Sequence, residues 1–157
     1  MPELLRQLAL NVLVLVVRFQ FPDVETVSTQ ELAQRLAGPG EHPMLIDNRE
    51  PREYAVSHLP GAVNLTTVQA IEAAAIPRQT PLVVYCSIGY RSAALARRLQ
   101  AAGYHKVKNL EGSIFQWQKR GLPLVSGVGP VEKVHPYDEF WGALLNPEVV
   151  AYHPQHP

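Results

Sequence analysis

The chain is poor in cysteine, in net charge and in long apolar runs. One cysteine among 157 residues, Cys86, rules out an internal disulfide. That thiol is then an apolar filler, a reactive nucleophile or an intermolecular partner. A lone reduced thiol suits a reducing compartment such as the cytoplasm better than a secretory one. Basic and acidic residues balance at 14 each, so the basic excess of a nucleic-acid binder is missing and no nucleic-acid partner is expected. The longest apolar stretch, Leu8 to Val17, contains Asn11 and is flanked by Arg6 and Arg18. It falls well short of the ~20 apolar residues of a membrane span. Phe19-Gln20-Phe21-Pro22 after it is not the small-residue cleavage site of a signal peptide. His135, His153 and His156 are too scattered to suggest a metal site, and no metal-ligand cluster is visible elsewhere, so no metal or other cofactor is read from the sequence.

What is present fits one compact domain with modest extensions: 46% of residues are hydrophobic and 18% charged. Leu4, Leu5, Leu8, Val12, Leu15 and Val16 recur at helical spacing. Residues 1–26 therefore read as an apolar helix and linker, docked on the domain in preference to lying on a membrane surface. Ser28 followed by Glu31 matches a helix-opening cap. Met44-Leu45-Ile46-Asp47 and Leu82-Val83-Val84-Tyr85 are continuous apolar runs, as expected of strands covered on both faces. Helices are expected after Pro51, after Thr66 or Thr67, from Ser92 to Ala102 and from Ser113 to Lys119. Short strands are expected at Ala62–Leu65 and Val107–Leu110. Strands alternating with helices predict an α/β fold, a central, mainly parallel sheet flanked by helices in three layers. Beyond Leu124, residues 127–157 form a proline-containing extension in which Tyr137 to Leu145 could make a helical turn or two.

Ligands of parallel α/β sheets bind outside the carboxyl ends of the strands. Cys86 follows the most strand-like segment, and Ser87-Ile88-Gly89-Tyr90-Arg91 leads from it to a helix. A thiol becomes a strong nucleophile as the thiolate, which a helix amino terminus and a nearby cation both stabilise. Gly89 allows a tight turn, and consecutive backbone amides in such a turn make an anion nest. Arg91 supplies the cation. For an isolated cysteine a core role would be the better reading; the strand–Cys–turn–Arg–helix context favours the functional one.

The chain resembles the single-domain rhodaneses, a family of sulfurtransferases. The matching pieces are Leu45-Ile46-Asp47-Asn48-Arg49-Glu50, Tyr54, His58-Leu59-Pro60-Gly61-Ala62-Val63-Asn64, Tyr85-Cys86-Ser87-Ile88-Gly89-Tyr90-Arg91-Ser92, Gly103-Tyr104, Leu110-Glu111-Gly112-Ser113, Trp117 and Gly121-Leu122-Pro123. They fall in order across residues 27–126. The resemblance implies that Cys86 takes the outer sulfur of a donor such as thiosulfate, carries it as a persulfide held by the loop from Ser87 to Arg91, and yields it to a thiol acceptor, small or protein-borne. Asp47 is structural in that family. For Arg49, a structural ion pair is preferred over a charge lent to the site; for His58, a satisfied turn histidine is preferred over a general base. Trp117 and Trp141 read as core or docking residues.

Two other readings compete. Cysteine phosphatases and arsenate reductases place five residues between Cys and Arg; here there are four, a tighter ring that suits sulfur better than tetrahedral phosphate. A non-catalytic, regulatory or sulfur-carrying module is the second; the retained Cys86, Gly89 and Arg91 speak against a dead site but leave open a sulfur carrier or redox sensor whose partner is a protein. Ser87 and Ile88 add no cation to the loop, which leaves Arg91 alone and predicts modest activity with doubly charged thiosulfate.

Overall fold

The computed structural model describes residues 1–156. Five short strands, β1 (Thr26–Val27), β2 (Met44–Asp47), β3 (Val63–Asn64), β4 (Leu82–Tyr85) and β5 (Val107–Leu110), form one sheet in the order β1-β5-β4-β2-β3. Every pairing in it is parallel. Parallel neighbours require crossovers, supplied by α2 (Thr29–Ala37), α3 (Pro51–Val56), α4 (Val68–Ala73) and α5 (Tyr90–Ala101). A further helix, α6 (Ser113–Lys119), follows β5. This is the expected three-layer α/β architecture.

Alternation along β4 feeds two cores, one on each face of the sheet. Val83 and Tyr85 pack with Leu32 of α2 and with Ile114, Phe115 and Trp117 of α6. Leu82 and Val84 pack with Ile71 of α4 and with Leu95 and Leu99 of α5. All four β4 residues are buried, which explains why the strand reads as a continuous apolar run.

The N-terminal helix α1 (Glu3–Gln20) belongs to both cores: Leu10 joins the first and Val17 the second. It therefore bridges the two helical layers. Polar clamps hold it there. Gln7 donates to Gln116 at 2.8 Å, Arg18 pairs with Glu111, and Lys119 pairs with Glu3. Its opposite side is an exposed apolar stripe, with Leu4 80%, Leu8 57%, Leu15 61% and Phe19 86% accessible. Among the described residues no helix is long and apolar enough to cross a membrane.

The C-terminal extension is more ordered than its proline content suggests. An antiparallel hairpin, β6 (Leu124–Ser126) with β7 (Gly129–Val131), leads into it, β7 being its first element. Val125 pairs with His58 through two backbone hydrogen bonds of 2.9 and 3.0 Å. These strands were not evident from the sequence, because Gly127, Gly129 and Pro130 read as breakers and the pairing depends on a distant turn. A single helical turn, α7 (Glu139–Gly142), is capped by Asp138, whose side chain accepts from the Trp141 amide at 3.0 Å. Val134, Leu144 and Leu145 are buried in the first core, anchoring the extension.

Candidate active site

Because β4 is central, its end delivers Cys86 to the middle of the sheet's carboxyl edge, with the thiol 1% exposed. The chain then bends through Ser87 and Ile88 and turns at Gly89, whose φ of 111° is a left-handed conformation that strains any residue with a Cβ. From that conformation the chain enters α5 directly at Tyr90, before the expected start at Ser92. Ala93 bonds back to the Gly89 carbonyl at 3.1 Å and closes the first turn. Tyr90 and Arg91 thus belong to the helix, and Cys86 sits against its amino terminus.

Gly89 N–H donates to the sulfur at 3.2 Å. The loop can present this donor because its acceptors are satisfied elsewhere. The Cys86 carbonyl accepts from Ile114 N (3.2 Å), the Ser87 carbonyl from Phe115 N (3.1 Å), and the Gly89 carbonyl from Asn109 Nδ2 (2.9 Å). The first turn of α6 and the end of β5 thus hold the loop by its carbonyls. The Cys86 amide donates to Ser113 Oγ at 3.1 Å, and the Ser113 hydroxyl donates to the Leu110 carbonyl at 2.9 Å. Ser92 Oγ lies 3.4 Å from the sulfur and 2.6 Å from Asn109 Oδ1. A hydroxyl has one proton; the shorter contact takes it, and Asn109 is oriented to accept by its own donation to Gly89.

Arg91 is not a free cation. Its Nη1 and Nη2 donate to the two carboxylate oxygens of Glu53, each at 2.9 Å, and Nη2 also donates to Ser87 Oγ at 2.9 Å. The Tyr137 ring lies 4.7 Å from the guanidinium carbon. Burial disfavours both charged groups, but their forked pairing outweighs it. The Arg91 pKa is raised above its ordinary value, and Glu53 is held below the usual carboxylate range. Sequence reasoning missed Glu53. Its side chain also accepts from the Glu50 amide at 2.8 Å, closing the start of α3. That cap is legible as a glutamate shortly after Pro51; the reach to Arg91, from one crossover helix to another, is not.

Asp47 and Arg49 lie at the end of β2, both fully buried and ion-paired at 2.7 Å. Arg49 also donates to the Ser57 carbonyl at 2.6 Å, and Asn64 donates to the carbonyls of Asp47 and Arg49. Burial opposes the guanidinium charge, yet the Asp47 carboxylate raises the Arg49 pKa overall. The pair ties β2, β3 and α3 together. His58 stacks on Tyr54 with ring centres 3.7 Å apart and sets its Nδ1 2.9 Å from the Tyr54 carbonyl. None of Asp47, Arg49 and His58 lines the cavity above the sulfur.

That cavity has a volume of about 450 Å³. Its base is the loop from Cys86 to Ile88, with Tyr90 and Arg91. Leu13, Val16, Val17 and Gln20 of α1 form one wall, and Tyr137 and Trp141 of the extension form another. Trp117 is core and Trp141 docks against the first core, as read, and Trp141 also lines this space. Among the described residues no group of three or more His, Cys, Asp or Glu is placed to hold a metal ion.

The sequence model of the rhodanese-like domain matches residues 28–120. The chain belongs to the rhodanese-like domain family. It is 36% identical over 107 residues to a protein named sulfurtransferase from Allochromatium vinosum, a match covering 68% of this chain and 99% of the relative. It is 28% identical over 98 residues to the adenylyltransferase and sulfurtransferase uba4 of Ogataea parapolymorpha, covering 61% of this chain but 24% of that one. A crystal structure of a rhodanese-related protein from Thermoplasma volcanium superposes with a TM-score of 0.56 at 24% identity, covering 64% of this chain and 97% of that one. The Alr3790 protein of Anabaena superposes with a TM-score of 0.59 at 20% identity, covering 64% and 81%. The rhodanese domain thus leaves both walls of the cavity outside it, since α1 and the Tyr137–Trp141 segment lie beyond residues 28–120.

Proposed function

We propose that the protein is a sulfurtransferase working through a persulfide on Cys86. The observation that carries this reading is the Cys86 sulfur at the carboxyl end of the central strand, accepting a hydrogen bond from Gly89 inside a short loop and facing a cavity. Covalent catalysis of this kind runs as two half-reactions. Cys86 thiolate attacks the outer sulfur of a donor such as thiosulfate. The donor's S–S bond breaks, and sulfite leaves with the electron pair. An acceptor thiolate then attacks the outer sulfur of the Cys86 persulfide, the Sγ–S bond breaks, and the electron pair returns to Cys86. The acceptor departs as a persulfide. Gly89 stabilises charge at Sγ, Ser92 and Asn109 position the loop, and Arg91, locked to Glu53, holds the start of α5 in place. The sulfurtransferase name of the Allochromatium relative supports the same reaction class.

Mass spectrometry after treatment with thiosulfate tests the reading. The expected outcome is one added sulfur on Cys86, removed by excess thiol and absent from Cys86→Ser. A wild-type protein left unmodified by every sulfur donor would overturn it.

A further inference from the structure

Resting on that reading, we infer that the preferred sulfur donor is an organic sulfur compound with an apolar body and at most one negative charge. Three observations converge. First, the space beside the Cys86 sulfur is lined mostly by apolar surface, from Leu13, Val16, Val17, Ile88 and the rings of Tyr137 and Trp141, with Gln20, Ser87, Tyr90 and Arg91 adding a smaller polar part. A cavity of about 450 Å³ is far larger than one sulfur atom or a thiosulfate ion needs; apolar cavities of this size accommodate organic ligands.

Second, Arg91 is the one cationic side chain lining this space among the described residues, and both of its Nη atoms are engaged by Glu53. The pair brings no net charge to the cavity. A dianion would enter an apolar space without a counter-charge, losing hydration that nothing replaces. A singly charged donor with a hydrocarbon tail loses less and gains burial of the tail.

Third, the apolar walls are built deliberately by the fold. α1 is anchored in both cores through Leu10 and Val17 and clamped by Gln7, Arg18 and Glu3. The opposite wall is held by the buried Leu144 and Leu145 next to α7, and by the Tyr137 amide bonded to His135 Nδ1 at 3.0 Å. Both sides of the cavity are therefore fixed before a donor arrives.

Alkanethiosulfonates isolate the inference. Each reacts as thiosulfate does: Cys86 thiolate takes the outer sulfur, the S–S bond breaks, and an alkanesulfinate leaves with the electron pair. Across the series the charge and the breaking bond stay constant and only the alkyl tail grows. For wild type, kcat/KM should climb from methane- to hexanethiosulfonate by up to about fourfold per methylene until the cavity is full. Val16→Thr and Trp141→Ala, checked for folding by circular dichroism, should flatten that slope. A flat wild-type series, with Cys86 still gaining sulfur from the donors, overturns this inference and leaves the sulfurtransferase reading intact. A steep slope unchanged in both folded variants overturns the assignment of the walls. Absence of any sulfur on Cys86 sinks the underlying reading instead.

Discussion

Glu53 shows how one residue can set the charge of a reaction space without facing the reacting atom. It is fully buried and matches Arg91 through two hydrogen bonds of equal length. Replacing it by glutamine keeps the shape and removes the charge. Arg91 is about a third exposed, so water repays part of the loss and the cost falls below that of breaking a fully buried pair. Urea denaturation of Glu53→Gln should show about 2 kcal/mol of destabilisation. The variant should also shift donor preference towards thiosulfate, since Arg91 then brings an unmatched positive charge. The pH dependence has a definite sign. Glu53 titrates below its ordinary value of 4.5 in the folded protein. Between the folded value and 4.5 the unfolded chain binds more protons, so stability falls as pH falls through that window. In Glu53→Gln that part of the acid loss should disappear.

At the scale of elements, α1 has two apolar faces with different fates. Leu10 is fully buried in the first core, whereas Leu15 is 61% exposed on the outer stripe. Leu10→Ala should cost about 2–5 kcal/mol through the cavity it leaves. Leu15→Ala should stay within about 0.5 kcal/mol. Thermal denaturation of both variants checks the contrast. Helical periodicity alone found α1 but could not say which apolar residues would be covered, because leucines occur on both sides. The strands were more legible: Met44–Asp47 and Leu82–Tyr85 stand out because a parallel sheet buries both faces. The Ser28 cap was legible for a local reason, and the structure contains it, with Ser28 Oγ and the Glu31 carboxylate exchanging bonds with each other's amides. The start of α5 was misplaced because Tyr90 is half-exposed and Arg91 polar, so neither adds to the inward stripe that marks the helix. The loop was recognisable from Cys86, Gly89 and Arg91. Its partners Glu53, Asn109 and Ser113 come from three separate elements, and no sequence spacing announces them.

At the scale of the whole molecule, the extension is held over the site by contacts that respond to acid. Burial lowers the pKa of His135 below its ordinary 6.5, and its Nδ1 accepts the Tyr137 amide at 3.0 Å. A protonated imidazole cannot accept there. The folded state thus holds fewer protons than the unfolded chain as pH falls below 6.5, and stability declines across the window down to the folded value. Denaturant midpoints measured from about pH 8 to about pH 5 should fall in the wild type. His135→Asn should lose this part of the decline. The same long-range construction has a consequence in time. The walls beside Cys86 come from a helix synthesised well before the loop and a segment synthesised well after it. Contacts distant in sequence carry the larger entropic cost of closure and tend to form late. During synthesis the central strand and its thiol are therefore made before the second wall exists. A nascent chain has therefore made its single cysteine before Tyr137 and Trp141 are available to line the space beside it.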